Sequence, residues 1–262
     1  INSTGVETLE DFRSTEDVTF SNVQELATVR SVGPQASTDP NHAFSTQFAT
    51  SLVSGALGVE LANANLTGLN VGNSQDAEFS TLDIDLTGTN VVTDVNTGDG
   101  SDYDGGGLTT VNFTGDGSYA QSGELEQVTT IDASENSGGV SVVIDDGEDV
   151  SFTGGSGDDS VDTSAGTTSN GVDSNDELTG GAGTDEIVVA DGGSAFSSSN
   201  FGNVSGFETL TLDNSEAQTG NDKFDVDNII DNNDLTGINV DGSADTEVVN
   251  INDGALDGLS IS

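Results

Sequence analysis

The chain has 262 residues, of which 47 are Asp or Glu and 3 are Lys or Arg, giving a formal net charge of -44. Nucleic acid is excluded as a partner, because phosphate binding is driven by Lys and Arg releasing counterions, and an anionic membrane surface is excluded likewise. With no cysteine there are no disulfides or thiolate metal sites, so the counter-charge must come from hard cations held by oxygen, from salt, or from a neutral or basic partner.

The apolar fraction of 32% implies a thin core. No apolar run approaches the roughly 20 residues of a membrane span, so membrane insertion is not expected. The lack of Met together with Ile1 as first residue reads as a processed or internal piece of a longer chain.

Residues 1–60 read as N-terminal strands followed by a short helix. "VETLED" from Val6 and "LATVRSV" from Leu26 are weak strand phrases. In "TDPNHAFSTQFATSLVSG", Asp39 can cap a helix, Pro40 suits its first turn, and Phe44, Phe48 and Leu52 fall on one face before Gly55. Such a helix would cover an end or side of a strand stack, where an open edge invites pairing. His42, the single histidine, falls in its first turn and reads as a solvent-facing polar residue.

From residue 61 to 262 one phrase recurs, apolar-x-[Thr/Gly]-apolar-x-apolar. It reads "LTGLNV" at Leu66, "FSTLDI" at Phe79, "LTTVNF" at Leu108, "VTTIDA" at Val128, "FETLTL" at Phe207 and "LTGINV" at Leu235. Its alternating end predicts a short strand with one buried face. Leu210 and Ile131 should point inward, and the preceding Thr209 and Thr130 should tolerate truncation. Gly, Asn, Asp and Ser clusters between phrases are turn chemistry. One strand per repeat, without two-residue hairpin turns, predicts an all-β chain stacked as a parallel β-helix or β-roll solenoid. A β-sandwich is the alternative.

Several turns are acidic enough to hold a cation. "DVNTGDGSDYDGGG" carries Asp94, Asp99, Asp102 and Asp104 but lacks the spacing of an EF-hand. "TGNDKFDVDN" carries Asp222, Asp225 and Asp227. The strongest pattern lies at 154–188. There "GGSGDDSVD" from Gly154 and "GGAGTDEIV" from Gly180 both fit the nonapeptide G-G-x-G-x-D-x-U-x, and "GVDSNDELT" from Gly171 is a degraded copy. Gly155, Gly157, Gly181 and Gly183 permit the tight turns, Asp159, Asp176 and Asp185 supply carboxylates, and Val161, Leu178 and Ile187 pack inside.

This block resembles the calcium-binding repeat of the RTX proteins. The resemblance implies Ca²⁺, which takes about 6 to 8 oxygens, and a coil of two nonapeptides. Asp159 and Asp176, seventeen residues apart, would then stack on one side and share a principal ion, with Asp173 as an extra ligand. The turn ending at Asp185 would lie on the other side, with Asp162 helping to complete its site.

The Thr-rich phrases, "VSGFETLTL" and the short RTX-like block together resemble the repetitive surface-layer proteins of Gram-negative bacteria. That resemblance implies type I secretion, an extracellular cell-surface location and calcium-dependent self-assembly into a lattice. A cell-surface polysaccharide is a further expected partner. A secreted adhesin or matrix filament is the alternative. A polysaccharide-acting β-helix enzyme is disfavoured, because the few cations are scattered and no Ser/His/Asp arrangement surrounds His42.

Overall fold

The computed structural model describes residues 5–33, 42–52, 54–72, 79–97, 107–144, 147–164, 172–190, 200–214, 223–225, 229, 233–242, 248–250 and 260–261. The first strands are β1 (Thr8–Phe12), β2 (Val18–Val23), β3 (Thr28–Val32), β4 (Ala43–Phe48), β5 (Ala56–Ala62), β6 (Asn65–Gly72), β7 (Thr81–Thr87) and β8 (Thr89–Asn96). They continue with β9 (Thr110–Gly115), β10 (Ser118–Leu125), β11 (Thr130–Asn136), β12 (Val140–Ile144), β13 (Ser151–Thr153), β14 (Ser160–Asp162), β15 (Glu177–Thr179) and β16 (Glu186–Ala190). Last come β17 (Val204–Ser205), β18 (Thr209–Asn214), β19 (Lys223–Asp225), β20 (Gly237–Gly242), β21 (Val248–Asn250) and β22 (Ser260–Ile261).

Strands from β1 to β17 with odd numbers form one nine-stranded sheet, and the even-numbered strands form an eleven-stranded sheet; β19 and β21 pair separately. Every pairing among the described strands is parallel, so the chain winds as a β-solenoid with almost no helix. A coil therefore contains two strands, one in each sheet, where the sequence predicted one. The six phrases do not mark successive coils: those ending in β7, β9 and β11 feed the first sheet, while those in β6, β18 and β20 lie in the second. The strands between them, such as β10 "SYAQSGEL", carry too few apolar residues to advertise themselves.

The core is built of stacked columns between the sheets. In the first sheet Leu57, Leu82, Val111, Ile131, Phe152, Leu178 and Val204 succeed one another in register. In the second, Val142, Val161, Ile187, Leu210 and Ile238 do the same. All are buried, as the alternation of the phrases predicts for Ile131 and Leu210. Burying each such side chain contributes about 1.5–3 kcal/mol. Outward positions carry Thr81, Thr110, Thr130 and Ser151 in one column; the β-branched Thr suits a pleated solvent face.

Two sequence expectations fail at the N-terminal end. The segment expected as a helix is the strand β4, inside the second sheet between β2 and β6, followed by a single 3₁₀ turn, Thr50–Leu52. Phe44, Thr46 and Phe48 alternate inward with period two, and Phe44 and Phe48 make edge-on contacts with Phe20 and Phe79. Tertiary pairing thus overrides the helical spacing, and β4 does not cap the stack. His42 is buried rather than solvent-facing, with Nε2 2.7 Å from Asp11 Oδ2, joining the second sheet to β1 of the first.

Candidate metal centre

Strand pairing corrects the predicted stacking of the acidic turns. β13 pairs with β15 and β14 with β16, so the two full nonapeptides lie directly over one another. Asp185 stacks on Asp159, 26 residues earlier. Asp159 precedes β14 and Asp176 precedes β15, which places them at opposite edges of the solenoid. They do not share a site. Seventeen positions separate the two, less than the 26 that this coil consumes.

Glycine makes the close stacking possible. A Cβ on Gly154 would lie 1.7 Å from the Gly180 carbonyl oxygen, and one on Gly180 would lie 2.0 Å from that of Gly206. Gly181 and Gly183 adopt φ of +109° and +150°, which L side chains rarely enter, and a Cβ on either would press on the carbonyl of Gly155 or Gly157. A Cβ on Gly155 would meet the Asn136 carbonyl oxygen at 2.1 Å and one on Gly157 the Gly139 nitrogen at 2.2 Å.

The carboxylates satisfy backbone donors from coil to coil. Val140 N–H donates to Asp159 Oδ1 at 2.7 Å and Gly155 N–H to Asp159 Oδ2 at 2.7 Å. Asp159 N–H donates to Asp185 Oδ1 at 2.8 Å, and Asp185 N–H to Glu208 Oε2 at 2.8 Å. Beside this chain, Thr184 N–H donates to Asp158 Oδ1 at 2.8 Å. One coil earlier the same edge uses Asn136, whose Oδ1 accepts from Gly138 and Gly139 N–H while Nδ2 donates to the Gly117 carbonyl. Asn90 and Asn233 are further buried amides that tie neighbouring coils together. The sequence reading missed all three, and also Asp158 and Glu208; the Asx-rich turns signal them only as turn formers.

The two nonapeptides differ at one atom. Gly155 caps Oδ2 of its own Asp159, but Gly181 at positive φ gives no equivalent bond, and Asp185 Oδ2 is buried without a hydrogen-bond partner. Asp185 is 0% exposed. Burial pushes its carboxyl up to about 6, against the lowering by the Asp159 amide, and the charges of Asp159, Glu208 and Asp158 push the same way as burial. Burial also raises Asp159, opposed by the Gly155 and Val140 amides and reinforced by the charge of Asp158.

The orphaned Asp185 oxygen is the kind of donor a hard cation takes, and the charges of Asp158, Asp159 and Glu208 act on it. Among the described residues, no three His, Asp or Glu side chains converge as a ready metal cage, so the remaining oxygens would be turn carbonyls or water. At the opposite edge Asp176 accepts from Val150 and Asp173 N–H at 2.9 and 2.7 Å, and burial raises its carboxyl. Asp173 is exposed and its Oδ1 accepts from Asn175 N–H. Asp99, Asp102, Asp104 and Asp222 lie outside the described residues.

Asp185 sets a pH dependence with a definite sign. Its folded value, about 6, lies above the ordinary 3.8, so its protonation adds stability that is full below about pH 4 and lost as pH rises through about pH 6. In chelator, carbon NMR of the Asp185 carboxyl should titrate near pH 6. Asp185→Asn should flatten the stability change across that window, and an unchanged profile would remove Asp185 as its source.

No protein-family model, no curated protein and no solved structure matches the chain.

Proposed function

We propose that the chain is a calcium-binding structural protein that assembles with copies of itself into an extracellular surface layer. The observation that supports the metal is Asp185 Oδ2, a buried carboxylate oxygen with no partner beside Asp158, Asp159 and Glu208. A divalent ion there supplies the cation that a chain of charge -44 lacks. The solenoid, the resemblance of 154–188 to RTX repeats and the surface-layer-like phrases support a structural role. The reading assigns no reaction.

Self-repulsion sets the condition for assembly. Monovalent salt near 0.15 M shortens it to roughly 8 Å without removing it at contact. Lateral packing therefore takes ions bound at the subunit surfaces, and the acidic segments 99–104 and 222–227 are the proposed places. Millimolar Ca²⁺ is expected to convert soluble protein into sheets, seen by light scattering and electron microscopy, and a chelator to reverse it. Assembly in NaCl with chelator that equals assembly in Ca²⁺ would overturn the calcium linkage, and filaments without a two-dimensional lattice would favour the matrix-filament alternative. Isothermal titration completes the test: Asp185→Ala and Asp159→Ala should weaken calcium binding at this site, while Asp83→Ala, on the outer face of β7, should not.

A further inference from the structure

We propose that the cleft between the chain turns that follow β8 and β10 binds a small primary amine in its ammonium form, carried on a short alkyl stem. The inference goes beyond the calcium and assembly reading and does not depend on it.

Strand pairing opens the cleft. β8 and β10 pair from Thr89 with Ser118 to Val92 with Gln121 and no further, although β8 runs on to Asn96 and β10 to Leu125. β10 also shifts its register against β12 between Ala120 and Glu124, and an irregularity of this kind bends a strand and re-aims its side chains. The strand ends therefore part around a cavity of about 360 Å³, the size that takes a small organic molecule. Gly123 is required at its wall: a Cβ there would fall 2.1 Å from Asp94 Oδ1 and 2.8 Å from the Thr93 carbonyl oxygen.

The lining chooses the occupant. Asp94, Glu124 and Glu126 bring three carboxylates to the cavity, and Leu108, Leu125 and Val128 give it a buried apolar floor. Thr97 lines it as well; it is 1% exposed, and its Oγ1 is buried with no hydrogen-bond partner. A buried hydroxyl left unpaired is costly, so it marks a place for a donor. The arginines are engaged elsewhere, Arg13 over the Phe12 ring and Arg30 with Glu10 and Glu60. An anion is excluded by the carboxylates. A bare metal ion fits poorly, because among the described residues no three acidic side chains lie close enough together to hold one, and it would leave the apolar floor uncovered. An alkylammonium meets each requirement. It has three N–H donors and no acceptor, which suit Thr97 Oγ1 and two of the carboxylates, while its stem covers Leu108, Leu125 and Val128.

Titration with n-butylammonium chloride, in chelator and about 0.15 M NaCl to screen surface charge, is followed by amide NMR. Shifts should saturate at the Thr97, Gly123 and Glu124 amides. Affinity should rise about fourfold per carbon from methylammonium to butylammonium, the contribution of each buried methylene, and neutral 1-butanol should bind at least tenfold more weakly than butylammonium. Thr97→Val keeps the shape and removes the acceptor, and Glu126→Gln removes one charge. Each should weaken binding by about tenfold while circular dichroism is unchanged, and unaltered affinity in both overturns the proposal. Ammonium chloride acting on these amides as strongly as butylammonium, or shifts spread evenly over the acidic surface, would reveal a counterion atmosphere only and overturn it too. So would Ca²⁺, titrated without chelator, displacing butylammonium from these amides with the higher affinity. Because the amine series is run in chelator, failure of calcium-driven sheet formation is a separate result that leaves it readable.

Discussion

Leu210→Ala is expected to lower stability by about 2–5 kcal/mol. Leu210 is fully buried and stands in the column Ile187, Leu210, Ile238 of the second sheet. The solenoid is only two sheets thick, so a cavity there has one layer of side chains on the other side with which to relax. Its neighbours are held by strand register and cannot slide into the space without breaking the ladder on both sides. Ile131→Ala should behave the same way in the first sheet, while Thr130→Ala, on the exposed face of the same strand, should change stability by no more than about 0.5 kcal/mol. Urea denaturation followed by circular dichroism measures all three. Equal effects of Ile131→Ala and Thr130→Ala would invert the assigned faces.

Gly154→Ala is the second substitution of large effect, and its cause is backbone against backbone. The added methyl would lie 1.7 Å from the Gly180 oxygen and 2.6 Å from Asp159 Oδ2. Neither obstacle is the free end of a flexible chain: the carbonyl belongs to the next coil, and the carboxylate is pinned by two amides. The coils must part locally, at a cost of roughly 3 kcal/mol, the upper part of the range for overpacking. Gly68→Ala is the comparison, since its nearest atoms are side-chain atoms of Asn70 at 3.5 Å. Calorimetric unfolding should separate the two, and calcium affinity should fall in the first variant and hold in the second.

Much of this was legible in the residues, and the failures share a cause. The alternating phrases give strands because every second residue must meet a core, and Ile131 and Leu210 lie where that rule puts them. The paired nonapeptides likewise mark stacked turns through their glycines. Local pattern does not say how much chain one coil consumes. The repeat of Gly154 at Gly180 was the true interval, yet the intervening degraded copy suggested a shorter one and moved Asp176 to the wrong edge. Phe44, Phe48 and Leu52 have helical spacing, but Phe44, Thr46 and Phe48 also have strand spacing, and only the neighbours β2 and β6 decide between them. His42 is polar by type and buried by position, which depends on Asp11 thirty-one residues away.

The turns carry most of the variation in coil length. Stacked positions are separated by as few as 19 residues, between Val142 and Val161, and by as many as 30, between Val29 and Val59. Most strand pairs keep their parallel register throughout, with register shifts only within β10–β12, β9–β11 and β2–β4. Adding residues to a turn costs only a logarithmic amount of closure entropy, whereas one residue added inside a strand turns its buried face outward. A chain built this way can lengthen, shed or exchange its surface loops over generations without renegotiating its interior, so descendants would diverge fastest in the loops and keep their inward columns nearly fixed.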